Sequence, residues 1–173
     1  MKKILPLFAA LVLILSACSS SSENTHSKEE HLDAEEGMES STISHNHLSG
    51  DLQELTASAH ELPEFLDSQP EDIRLVYEVA GQATDILKWI PCYCGCGETA
   101  GHRSNLNCFI AESRDDGSIV WDDHGTRCLV CLEIAVESVQ MYKEGKTLKE
   151  IREAIDSKYA EGYAEPTPTE IPA

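Results

Sequence analysis

The stretch Pro91-Cys92-Tyr93-Cys94-Gly95-Cys96-Gly97 limits what this chain can fold into more than any other. It sets three thiols at alternate positions. A disulfide across one intervening residue is strained, because the Cα separation and the Cβ directions rarely meet its geometry. Crowding of this kind suits a centre that draws on several sulfurs at once. Gly95 and Gly97 let the backbone fold tightly around such a centre, and Pro91 and Tyr93 stiffen and cover it. Cys108, Cys128 and Cys131 follow, so six of the seven cysteines fall between positions 92 and 131.

In Cys128-Leu129-Val130-Cys131 the thiols are three apart, which places them on one face of a helix. The spacing predicts that they sit at a helix start, where unpaired N–H groups and the helix dipole favour thiolate. His102 follows Gly101, and His124 precedes Gly125. Six sulfurs and two imidazoles exceed the needs of one tetrahedral zinc. That number of soft donors points to copper(I), with zinc or an iron–sulfur centre as alternatives. The candidate metal ligands are therefore Cys92, Cys94, Cys96, Cys108, Cys128, Cys131, His102 and His124. A metal donor or acceptor protein is the expected partner.

Two other readings use the same thiols. Cys128 and Cys131 form a Cys-x-x-Cys pair suited to thiol–disulfide redox work, with Cys92 to Cys96 as relay thiols. Alternatively, three disulfides staple a structural or binding module, as in many small exported domains. The chain has no nucleophile elbow and no His-Glu-x-x-His, so no catalytic residue is assigned and a non-enzymatic role is favoured.

The N-terminus bears on the compartment. Lys2 and Lys3 precede an apolar run over 4–15, which is too short to span a bilayer. It reads as a cleaved secretory segment, residues 1–17. Leu15-Ser16-Ala17-Cys18 resembles the lipobox of bacterial lipoproteins. The resemblance implies a lipid such as palmitate on Cys18 and attachment to the extracytoplasmic face of the cell membrane. Residues 18–50, rich in Ser and Glu and carrying His26, His31, His45 and His47, read as a disordered tether. Without Lys2 and Lys3 the chain has 11 basic against 31 acidic side chains. Such a surface repels phosphate backbones, so no nucleic-acid partner is expected.

The remaining pattern predicts an all-α domain over 51–161, a small helical bundle of three to five helices with a cysteine-rich loop. Leu52, Leu55, Ala59, Leu62 and Leu66 suggest a short first helix. Ser68, Pro70 and Glu71 form a helix start with a capping box. Ile73, Val76, Ala80, Ala83, Leu87 and Ile90 then give one face of a helix over 70–90 that Pro91 stops. A short helix near Ser104 carries Cys108 and Phe109 inward. Asp115-Asp116-Gly117 marks a turn, and Ile119, Val120 and Trp121 a short extended piece. A helix over 126–144 follows, then a capping box at Thr147 and Glu150 that starts a last helix. Residues 162–173 read as a disordered tail.

Pro91-Cys92-Tyr93-Cys94-Gly95-Cys96 is similar to the motif that names the PCYCGC family of bacterial lipoproteins. The resemblance extends through Gly101-His102, Ser104-Asn105 and Cys108-Phe109, then through Trp121-Asp122 and His124-Gly125 to Cys128 and Cys131. It covers about 55–160 and implies lipid anchoring, but it brings no mechanism with it.

Overall fold

The computed structural model describes residues 43–172; the 1–17 segment, Cys18, His26 and His31 lie outside them. The described chain contains a four-stranded antiparallel sheet, which overturns the all-α bundle expected from the sequence. The strands are β1 (Ile43–His45), β2 (Leu52–Thr56), β3 (Ile110–Ser113) and β4 (Ile119–Asp122), in the order β1-β2-β4-β3. Five helices accompany them: α1 (Glu71–Gln82), α2 (Thr84–Leu87), α3 (Cys96–Thr99), α4 (Leu129–Lys143) and α5 (Leu148–Lys158). Three 3-10 turns, Glu64–Leu66, Asn105–Cys108 and Asp123–Arg127, complete the framework.

The correction at β2 has a physical cause. Its two buried positions are Glu54 and Thr56, both polar. The Glu54 carboxylate accepts the N–H groups of Glu64 (2.7 Å) and Phe65 (3.3 Å). The Thr56 hydroxyl accepts from the Trp121 indole N–H at 2.8 Å. Buried polar groups need such partners, and here the partners are distant in sequence. The strand's inward face thus lacks apolar residues, and the three-residue step from Leu52 to Leu55 imitates a helix. β1 falls within the stretch expected as tether and pairs with β2 through Ile43 and Glu54.

Other local expectations fare better. The Asp115-Asp116-Gly117 turn lies between β3 and β4, with Gly117 at φ 89° and Asp116 accepting the Ser118 N–H at 2.9 Å. Ile119, Val120 and Trp121 lie in β4, which is buried along its length. The Thr147–Glu150 capping box forms in full at the start of α5. The 70–90 helix is interrupted at Ala83, which has φ −114° and ψ 25°, and resumes as α2. Its N-cap is Pro70 with no side-chain cap, so the Ser68 capping box does not form.

The core lies between α1, α4 and the sheet. Tyr77, Phe109 and Trp121 are fully buried in it. Tyr77 and Phe109 meet edge to face at 5.1 Å, and the Tyr77 hydroxyl donates to the Asp122 carbonyl at 2.8 Å. An aromatic pair of this kind adds about 0.5–1.5 kcal/mol beyond its buried area. At Gly81 a Cβ would lie 2.7 Å from the Trp121 ring, so α1 approaches the sheet too closely for a side chain there.

Residues 164–169 form no helix or strand, yet they are tied to the cysteine loop. Ala164 N–H donates to the Tyr93 carbonyl (3.1 Å) and Thr167 N–H to the Cys92 carbonyl (2.9 Å). The Cys92 N–H donates in turn to the Thr167 hydroxyl at 2.9 Å. Composition alone predicts disorder here; the partners that order the segment belong to the loop, not to the tail.

Candidate metal centre

Three parts of the chain converge on one place. The cysteine loop leaves α2 through Ile90, whose carbonyl accepts the Asn105 N–H at 2.7 Å. The Asn105 side-chain amide donates to the Cys131 carbonyl at 3.1 Å, which joins the loop to α4. Gly95 has φ 88°, a left-handed conformation that a side chain would strain, and it turns the backbone so that α3 begins at Cys96. His102 N–H donates to the Cys96 carbonyl at 3.2 Å, and the 105–108 turn presents Cys108.

The third part runs from the end of β4 into α4. The Asp122 carboxylate accepts the His124 N–H at 3.0 Å and starts the 123–127 turn. A Cβ on Gly125 would lie 2.7 Å from the Phe109 ring and 2.9 Å from the Cys108 carbonyl, so this position holds glycine and the turn packs flat. Cys128 is the N-cap of α4 and Cys131 lies in its first turn. α4 thus begins three residues later than expected.

All eight predicted donors meet there. Cys92, Cys94 and Cys131 form a triangle of sulfurs with edges of 3.4, 3.2 and 3.5 Å. Cys96 and Cys108 lie 3.7 Å apart, and Cys108 Sγ is 3.5 Å from His102 Nδ1. Cys94 Sγ is 3.9 Å from His124 Nε2. Cys94, His124, Cys128 and Cys131 have their donor atoms within 4.8 Å of one another, and so do Cys96, His102, Cys108 and His124. All six thiols are free.

A family model described as a protein of unknown function with PCYCGC motif matches residues 7–172. The chain belongs to this family. No curated protein and no solved structure matches it. The six residues that give the PCYCGC family its name therefore supply half of the thiols in the cluster, and the other half come from Cys108, Cys128 and Cys131.

The electrostatics of the PCYCGC site separate its thiols. Cys94 is held well below the usual thiol range by Cys108, Cys128 and Cys131, and Cys92 is lowered by Cys108 and Cys131. Burial pushes Cys108 up, and Cys108 and Cys128 raise Cys131. Negative charge accordingly gathers on Cys94, to which the Cys92 and Cys131 thiols donate. The Cys94 sulfur and then Asp51 raise His124 to about 9. Burial, assisted by His124, lowers His102 to about 4. At neutral pH His124 is an imidazolium facing a thiolate, and His102 is a neutral imidazole.

The donor set fits soft cations. A tetrahedral ion with metal–sulfur bonds of about 2.3 Å spaces its sulfurs about 3.8 Å apart. The close sulfur–sulfur edges here run from 3.2 to 3.7 Å. Each opens by at most about 0.6 Å to admit an ion at that bond length. His102 Nε2 is buried with no hydrogen-bond partner among the described residues. Such an atom is costly to leave unsatisfied, and the His102 nitrogen that faces the thiols is Nδ1, 3.5 Å from Cys108 Sγ.

Sequence reasoning missed Asp51. Its buried carboxylate lies 3.1 Å from His124 Nδ1 and pairs with Arg127, which also pairs with Asp123. Burial acts to raise Asp51, but Ser49, His124 and Arg127 overcome it and lower it. A carboxylate behind an imidazole fixes the ring's tautomer and orientation, as carboxylates do behind metal-bound histidines. The sequence offered no signal, because Asp51 lies 73 residues from His124.

Proposed function

We propose that this protein binds copper(I) in a thiolate–imidazole centre and holds or passes it on outside the cell. The observation that carries the reading is the convergence of six thiols and two imidazoles, drawn from three separate segments, into one continuous cluster. Soft thiolates in that number favour Cu(I) over harder cations. Zinc is the nearest competitor for the same donors.

The lipobox-like 15–18 segment supports anchoring through Cys18 on the extracytoplasmic face, and an acidic chain suits cation traffic there. No helix among the described residues is long and apolar enough to cross a membrane. The proposed partner is a protein that gives or takes the metal.

Anaerobic addition of Cu(I) to the reduced protein tests the reading. Sulfur-to-copper charge-transfer absorption should grow to saturation and should persist against added zinc. Absence of that absorption, or its loss to zinc, removes the copper assignment.

A second reading draws on Cys94, a partly exposed, low-pKa thiol beside the His124 imidazolium. Cys94 and Cys131 would pass two electrons and two protons to a partner disulfide, closing a disulfide of their own. A Cys131→Ser variant would then trap a mixed disulfide at Cys94.

A further inference from the structure

The cluster's internal arrangement carries a conclusion about nuclearity that rests on the metal-binding reading above. Its donors do not surround one point. Cys128 groups with Cys94, His124 and Cys131, whereas His102 groups with Cys96, Cys108 and His124. His124 cannot serve both sets. Its Nδ1 is engaged by Asp51 at 3.1 Å, which leaves only Nε2, and that nitrogen faces Cys94 at 3.9 Å. His124 therefore belongs with Cys94, Cys128 and Cys131, and the other set is left with three donors.

Cys92 supplies the fourth. It is within reach of Cys94 and Cys96 in one grouping and of Cys108 and Cys131 in another. Its sulfur lies 3.2 Å from Cys131 Sγ and 3.4 Å from Cys94 Sγ. The outer set already has four donors, so Cys92 serves the inner one.

The two sets also differ in access. Cys94, His124 and Cys128 are partly exposed. His124 and Cys128 border a cavity of 420 Å³ that Asp51, Thr99 and Arg127 also line. Cys96, His102 and Cys108 are 1%, 5% and 0% exposed. His102 borders a separate cavity of 180 Å³, so the inner set has an approach of its own.

We propose that the site is a two-ion centre for soft cations. An outer ion is held by Cys94, His124, Cys128 and Cys131, and an inner ion by Cys96, His102 and Cys108. Cys92 Sγ completes the inner set, and the outer set lies closer to solvent. Thiols that a single outer ion cannot reach take a second cation in exchange for their protons.

Anaerobic titration of the full-length chain with Cu(I), read by native mass spectrometry, tests this. The expected result is saturation at two ions per chain. A copper(I) chelator should then remove them in two phases, one ion fast and one slow. Cys108→Ser should leave one ion that departs in a single fast phase, and Cys128→Ser should weaken the fast-leaving ion selectively. Saturation at one ion, or cooperative loading of three or more, overturns the two-ion centre while leaving copper binding intact. Absence of bound copper overturns both. Two ions that leave in one phase overturn the difference in access between the two sets. The parent chain's stoichiometry and release phases decide the matter even if a variant does not fold.

Discussion

Replacing Asp51 with asparagine probes the site without touching a donor atom. The side chain keeps its size and an acceptor for His124 Nδ1, but it loses the charge that helps hold His124 at about 9. Two consequences follow, of opposite sign. Loss of the carboxylate behind the imidazole makes His124 a poorer and less well-oriented ligand, which typically costs 10–100-fold in metal affinity, about 1.4–2.7 kcal/mol. The parent His124, however, must shed a proton to bind. Two pH units below its pKa, that competition costs roughly 100-fold, and it vanishes above pH 9. In Asp51→Asn the His124 pKa falls, so less proton competition remains at pH 7. The affinity loss should therefore be largest near pH 9.5, on the order of 10–100-fold, and should narrow as the pH falls to 7. Competition against a copper(I) chelator at several pH values measures this, and a histidine NMR titration of the metal-free protein follows the pKa directly. An affinity unchanged at high pH, or a loss that does not vary with pH, would refute the role given to Asp51 and His124.

Two further outcomes test the frame around the site. Gly81→Ala should lower stability by about 1–3 kcal/mol, because its Cβ meets the Trp121 ring at 2.7 Å and the Ala59 carbonyl at 2.9 Å. Thermal denaturation reads the loss, and the copper content should stay at the parent value. Thr167→Val keeps the shape of the tail but removes the hydroxyl that accepts the Cys92 N–H. It should cost about 1–3 kcal/mol and speed hydrogen exchange at the Cys92 amide, since a buried donor is left without a partner; unchanged exchange there would mean the tail does not hold the loop.

The thiol-rich chemistry was legible because it is written in residue type and local spacing. The crowding of Cys92, Cys94 and Cys96, and the three-residue step from Cys128 to Cys131, constrain geometry whatever the fold. The Thr147–Glu150 cap and the Gly117 turn were legible for the same reason: each is a local device with a fixed offset. The sheet was not legible. β1 is exposed throughout, and the buried side of β2 is made of Glu54 and Thr56, whose burial depends on the Glu64 and Phe65 N–H groups and on Trp121. No period of apolar residues marks such a strand. Asp51 and the ordered 164–169 segment stayed hidden on the same ground. Their roles arise from partners more than 70 residues away, His124 for one and Cys92 for the other.

The central claim is that these thiols hold metal and are not joined as disulfides. The most direct measurement is the metal content and thiol state of the full-length protein, exported and purified without chelator or reductant. Elemental mass spectrometry counts the metal, and alkylation before and after metal removal counts the thiols. Stoichiometric copper, with Cys92, Cys94, Cys96, Cys108, Cys128 and Cys131 alkylated only once it is stripped, is the predicted result. A metal-free protein whose thiols resist alkylation even when denatured, and whose mass is short by two hydrogens for each disulfide, would contradict it.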